Sequence, residues 1–273
     1  MLPLRVRLVL QALVLVACAG AAVGCPAVYP EIGTNLHKAP PDRPLDPPPP
    51  ETLRWLRILS AKIPPRARDG RTWDQAFGSP PDPYAKLFVN GTELFRTPAQ
   101  ADTIEPTWPT GPRGNFQISP QDKLRVEIWD SNPLNDAPIG TRDIGRISEE
   151  YIRTKQIRVE LEGGSEMLIA FEPAHAMLGV GLWFELRTDS CFITRMLKES
   201  PAERAGIQRG DEVVQIAGRE VKGMSSDEVR SAFGSIPVAG LAVVLKHPDG
   251  SNMNVTLKEG PIYPPYSQFG VVD

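Results

Sequence analysis

Between residues 53 and 171 apolar and polar side chains alternate in short runs, at 53–59, 84–89, 93–96, 115–118, 124–129, 157–161 and 166–171. In Leu124-Arg125-Val126-Glu127-Ile128 every second residue is apolar and the others are charged, the period of a strand buried on one face. Asn90-Gly91, set between Phe88-Val89 and Thr92-Glu93, predicts a two-residue hairpin. Seven or eight such strands punctuated by Gly, Pro, Asn and Asp in about 120 residues predict an antiparallel β-sandwich. From Gly179 the order of signals changes. A strand pair at 182–187 and 191–197 precedes a short helix at 201–205 and a strand at 212–216. A second helix begins near Ser225, followed by strands at 241–246 and 254–258. Ser225 with Glu228 three residues on fits a capping box, and Val229, Ala232 and Phe233 give that helix an apolar face.

The first 50 residues follow neither period. Arg5 and Arg7 precede an apolar run, Leu8 to Ala17, too short to span a bilayer, which is the form of a secretory signal peptide. Leu15-Val16-Ala17-Cys18 and Ala22-Val23-Gly24-Cys25 both resemble the lipobox of bacterial lipoproteins, in which the Cys becomes the lipidated first residue. Leu15 favours Cys18, and the longer run before it keeps Cys25 as the alternative. Multiple acyl chains on one Cys give stable membrane anchoring where a single chain does not. Residues 26–50 hold nine Pro, four of them consecutive at 47–50, and predict a semi-rigid polyproline spacer.

Composition narrows the chemistry. The chain has 273 residues with 30 Lys+Arg against 33 Asp+Glu, so it lacks the basic excess of a nucleic-acid binder. Its three His, at 37, 175 and 247, suggest no catalytic triad or zinc site. Cys191 lies in an apolar run and reads as a small buried hydrophobe.

The loops of the first folded segment carry a resemblance. Trp73-Asp74 through Asp82-Pro83-Tyr84, then Thr103-Ile104-Glu105-Pro106-Thr107-Trp108, then Trp129-Asp130-Ser131-Asn132 through Asp136-Ala137-Pro138-Ile139-Gly140 resemble, in order, three motifs of C2 domains. The resemblance implies a calcium site with Asp74 and Asp82 from the first loop and Asp130, Asn132 and Asp136 from the second. Calcium takes six to eight oxygens, and carboxylates from two loops supply several of them. Asn132 in place of an Asp and altered loop lengths imply weak binding. The alternative is that these residues cap turns. A bound calcium would offset the acidic loops' repulsion of anionic phospholipid; Arg66, Arg68 and Arg71 flank the first loop, either as phosphate contacts or, in the plainer reading, as ordinary charges of a solvated loop.

Ser200-Pro201-Ala202-Glu203-Arg204-Ala205-Gly206 through Arg209-Gly210-Asp211-Glu212-Val213-Val214 closely resembles the PDZ domain of bacterial envelope proteins. In that family a Φ-Gly-Φ turn offers backbone N–H groups to a peptide carboxylate. Gly179-Val180-Gly181-Leu182 matches that turn, and the helix positions facing the peptide are Ser226 and Arg230. The peptide then joins as an added strand.

The fold expectation is therefore mainly β. A C2-like antiparallel β-sandwich is followed by a PDZ-like α+β partly open barrel. The divisions are a lipoprotein signal peptide (1–17), a Pro-rich disordered tether (18–50), the sandwich (51–173), the PDZ-like domain (174–260) and an extended tail (261–273). The functional expectation is a non-enzymatic, lipid-anchored scaffold or adaptor, exported to a bacterial cell envelope. It would bind protein C-termini or extended peptides, with calcium and phospholipid at the sandwich and no nucleic acid. The alternatives are a metal-dependent hydrolase built on Asp74, Asp82, Asp130 and Asp136, or a purely structural envelope protein with neither ligand.

Overall fold

The computed structural model describes residues 31–33, 36–38, 45–73 and 78–271. Two short strands come first, β1 (Glu31–Gly33) and β2 (His37–Lys38). The sandwich follows with β3 (Leu53–Lys62), β4 (Pro83–Val89), β5 (Thr92–Arg96), β6 (Arg113–Gln117), β7 (Lys123–Asp130) and β8 (Ala137–Arg146). It closes with a short helix α1 (Glu149–Thr154), β9 (Gln156–Glu160) and β10 (Glu166–Pro173). One sheet has the order β6-β3-β10-β9 and the other β5-β4-β7-β8, with every pairing antiparallel.

The charged alternation of β7 puts Leu124, Val126 and Ile128 into the core between the sheets, where they join Leu56, Ile58, Leu87, Trp108, Ile157, Ile169 and Phe171. The same alternation carries Asp130 to the inward side at the end of the strand, 4% exposed. Asn90 and Gly91 both have positive φ, 50° and 83°, and turn β4 into β5 as a two-residue hairpin requires. β8 and α1 have no counterpart among the predicted runs. Within β8 only Ile139 is buried, so this strand is held by its ladder to β7 and leaves little hydrophobic period to read.

The second half contains β11 (Met177–Gly179), β12 (Leu182–Arg187), β13 (Ser190–Met196), α2 (Pro201–Arg204), β14 (Glu212–Ile216) and β15 (Arg219–Glu220). Then come α3 (Ser226–Gly234), β16 (Leu241–Lys246), β17 (Asn252–Leu257), β18 (Gly260–Ile262) and α4 (Tyr266–Phe269). The main sheet runs β1-β12-β13-β14-β16-β17, with β15 paired to β14, and a small sheet runs β18-β11-β2. Its core gathers Val180, Leu182, Phe184, Ile193, Val213, Val229, Phe233 and Leu245. Cys191 is a free, fully buried thiol within it, and burial pushes that thiol up to about 12.

Two expectations about the chain's ends are corrected. The Pro-rich segment is not a free spacer throughout, because β1 pairs with β12 and β2 with β11. The Pro47 carbonyl also accepts a bond from the Tyr263 hydroxyl at 2.8 Å. Nor is the tail simply extended. It adds β18 to β11 and then lays Tyr266 of α4 against Phe116 of β6, with ring centroids 4.7 Å apart.

That return path fastens the two halves together. Asn115 of β6 is wholly buried. Its amide donates to the carbonyls of His175 (2.8 Å) and Pro264 (3.1 Å), and its oxygen accepts the His175 N–H (2.8 Å). Beside it the His175 ring stacks on Trp55 of β3 at 4.4 Å.

Candidate functional site

The acidic loops lie at the end of the sandwich where β4 begins and β7 ends. The Asp130 carboxylate accepts the Asp82 N–H at 2.8 Å, and the Asp82 carboxylate accepts the Asp102 N–H at 2.7 Å. Asp136 uses both oxygens, one for the Tyr84 hydroxyl (2.7 Å) and one for the Asn132 N–H (3.1 Å). The Asn132 amide donates to the Asp130 carbonyl at 3.3 Å. These bonds hold the Asp136 carboxyl below the usual carboxylate range, the Tyr84 hydroxyl contributing most and the Asn132 N–H next. Burial, then the bond to Asp136, pushes the Tyr84 hydroxyl up to about 12.

The four described members of the expected calcium set are therefore acceptors and donors that tie the loops to one another. Among the described residues no group of three or more His, Cys, Asp or Glu is placed to hold a metal ion. Asp74 lies outside the described residues. The hydrogen bonds of the described members are those of the turn-capping alternative. Two of the three flanking arginines are also engaged within their own loop. Arg66 donates to the Gly70 carbonyl at 3.0 Å, and Arg71 donates to Asp69 at 2.6 Å. Arg68 and Arg71 line a cleft of about 420 Å³ with Trp73, Pro138 and Ile139.

The second expected site is assembled more closely. The turn Gly179-Val180-Gly181-Leu182 joins β11 to β12. The Val180 carbonyl accepts the Ala202 N–H and the Gly181 carbonyl the Leu197 N–H, both at 2.9 Å, which fixes the turn against the start of α2. Gly181 has φ 75°, and a Cβ there would stand 2.5 Å from Ser200 Cβ and 2.8 Å from Ile262 Cδ1. Only Gly fits, for backbone and packing reasons together.

α3 lies against β12 through Phe233, whose ring is 4.9 Å from that of Phe184. Its start is set by the capping box, with the Ser225 hydroxyl accepting the Glu228 N–H and the Glu228 carboxylate accepting the Ser225 N–H. Ser226 and Arg230 are exposed one turn apart on α3, and Arg230 reaches Asp227 at 3.2 Å. The turn, β12 and α3 thus surround one sheet edge, with Leu182 buried at its head.

Two features of this half carried no sequence signal of their own. Asp211 is wholly buried. It accepts the Gln208 N–H at 2.8 Å and meets His247 Nδ1 at 2.7 Å, which locks the loop before β14 to the end of β16. The other is β1, which occupies the β12 edge; its three residues are too few to show a period.

Comparison with known proteins agrees with both halves. A C2 domain family model matches residues 56–159 and a PDZ domain family model matches residues 192–233. The chain is 30% identical over 102 residues to a probable CtpA-like serine protease of Staphylococcus aureus (strain COL), covering 37% of this chain and 19% of that protein. It is 32% identical over 80 residues to the counterpart in the bovine strain RF122 / ET3-1, covering 29% and 14%. The match thus spans about a fifth or less of these relatives' length. Among solved structures, one of a C2 domain overlays 44% of this chain and 96% of its own at 18% identity and TM-score 0.34. The HtrA3 PDZ domain bound to a phage-derived ligand overlays 37% and 99% at 18% identity and TM-score 0.27. The chain thus holds a C2-like sandwich followed by a PDZ fold.

Proposed function

We propose that this chain is a non-enzymatic scaffold or adaptor, anchored by an N-terminal lipid to a bacterial cell envelope, that holds partner proteins at the β12 edge by their C-termini or by extended segments. The observation that carries the reading is the convergence of the Gly179–Leu182 turn, β12 and α3 around one edge able to accept an added strand. Strand addition draws affinity from main-chain bonds and selectivity from side-chain positions beside the edge. Arg230, exposed on α3, would favour acidic side chains there. The sandwich acts as the rigid base, coupled to the PDZ domain through Asn115 and the returning tail.

An array of random peptides, displayed with free and with amidated C-termini, tests the reading. Binding should select a sequence class and weaken about tenfold in Arg230→Glu, a change at an exposed position. Absence of any selected class at millimolar peptide, or selected binding unaffected by Arg230→Glu and by further substitutions along β12, would overturn it.

A further inference from the structure

In the main sheet the edge strand is not β12 but β1. Glu31 stands opposite Leu186, Ile32 opposite Glu185 and Gly33 opposite Phe184, in antiparallel register. The segment therefore runs toward the head of β12, where the Gly179–Leu182 turn stands, in the direction an added strand would take if its C-terminus were captured there. A captured C-terminus would stop at the turn. This chain resumes its pairing on the other side, His37 opposite Leu178 and Lys38 opposite Met177 of β11. The His37 ring lies 3.9 Å from the Glu259 carboxylate. The two pairings bracket the turn, so the occupant of the edge is an internal segment.

We propose that the chain's own N-terminal segment, through Glu31–Gly33 and His37–Lys38, is the resident ligand of the PDZ edge and that a partner peptide must displace it. This rests on the reading of the β12 edge as a peptide site and narrows its ligand class to extended segments that need no free carboxylate. Covalent attachment gives such a segment an effective concentration in the millimolar range. The affinity for any outside peptide then falls in proportion to the fraction of edges left open. A segment that binds at about 100 µM when separate would lower outside binding about tenfold.

The test uses the full chain and a labelled synthetic peptide of residues 28–40 with both ends blocked. In one variant Ile32 and Gly33 are both replaced by Pro, which removes a ladder N–H whichever of the two faces β12 and enforces a backbone unsuited to the pairing. The peptide should bind the double-Pro chain at least tenfold more tightly than the wild type. The backbone amides of residues 183–187 that face β1 should exchange with solvent at least tenfold faster in the variant, while those bonded to β13 stay protected and the melting temperature falls by no more than a few degrees.

Equal affinity for the two chains, or equal exchange at 183–187, overturns the proposal. If peptides from the random array bind while the 28–40 peptide binds neither chain, the resident ligand is wrong and the peptide site stands. If neither kind binds either chain, both readings fall.

Discussion

Tyr84 and Asp136 show how much of the loop chemistry is settled by single hydrogen bonds. The Tyr84 hydroxyl is pushed up to about 12 by burial and by the Asp136 carboxylate it donates to. An exposed tyrosine ionises near 10. Above that pH the unfolded chain loses this proton while the folded chain keeps it, so stability falls as pH rises from about 10 toward 12 and is fully present below. Asp136 has the opposite sign. Its pKa is lowered, so its contribution is present above the ordinary carboxylate range and lost as pH falls through the lowered value. Tyr84→Phe should therefore flatten the alkaline limb of a melting-temperature profile between pH 9.5 and 11.5. A residual slope should remain from Tyr263 and Cys191, both also raised by burial. Parallel limbs in variant and wild type would rule out the Tyr84 contribution.

The same bonds predict the response to metal. A calcium site with a Kd of about 10⁻⁴ M would add about 2.7 kcal/mol of stability at 10 mM. With Asp82, Asp130 and Asp136 already accepting protein N–H and O–H groups, melting in 10 mM calcium should match melting in 10 mM magnesium. A calcium-specific rise of several degrees that disappears in Asp82→Ala would establish the metal reading instead.

At the scale of elements, legibility followed how local the determinants are. α3 was readable because its start is written within four residues. Ser225 and Glu228 cap one another, and Arg219, followed by the Ser225 N–H and hydroxyl, holds the Glu228 carboxyl at about 2. Ser225→Ala should cost about 1 kcal/mol, lower the melting temperature by a few degrees and raise hydrogen exchange in the first turn of α3, where Ser226 stands. Because Glu228 stays ionised far into acid, that difference should persist at pH 4, and its disappearance there would contradict the assignment. The β4–β5 hairpin was readable for the same reason, since Asn90-Gly91 supplies both positive φ angles. β8 was not, having one buried residue. β1 has no stability apart from the edge it pairs with, and nothing in a Pro-rich stretch reports an edge 150 residues away. The site followed suit. The Gly179–Leu182 turn and the two α3 positions are proposed from local motifs, whereas the bonds that occupy Asp82, Asp130 and Asp136 come from Asp102, Asp82 and Tyr84 across loops.

For the whole molecule, the decisive residue is the one that looked most ordinary. Asn115 sits in a predicted strand with nothing to distinguish it, yet its partners are 60 and 149 positions away. It is the amide through which the strand-to-strand connection and the returning tail meet the sandwich. Asn115→Ala strands two carbonyls and an N–H in a buried site, each costing about 1–3 kcal/mol when unpaired, so a loss of about 2–4 kcal/mol after relaxation is expected. The distinguishing consequence is cooperativity. With Asn115 in place, the Trp55–His175 stack, the Phe116–Tyr266 contact and the three amide bonds should make C2 and PDZ domains melt in one calorimetric transition. In Asn115→Ala the PDZ half should separate as a second, earlier transition. Because β1 and β2 pair with the PDZ half and β3 begins the sandwich, that separation should also strain the segment between them and speed exchange at 183–187. Two transitions already in the wild type would mean that the two domains are joined only by the chain, and a single unshifted transition in Asn115→Ala would mean that Asn115 does not couple them.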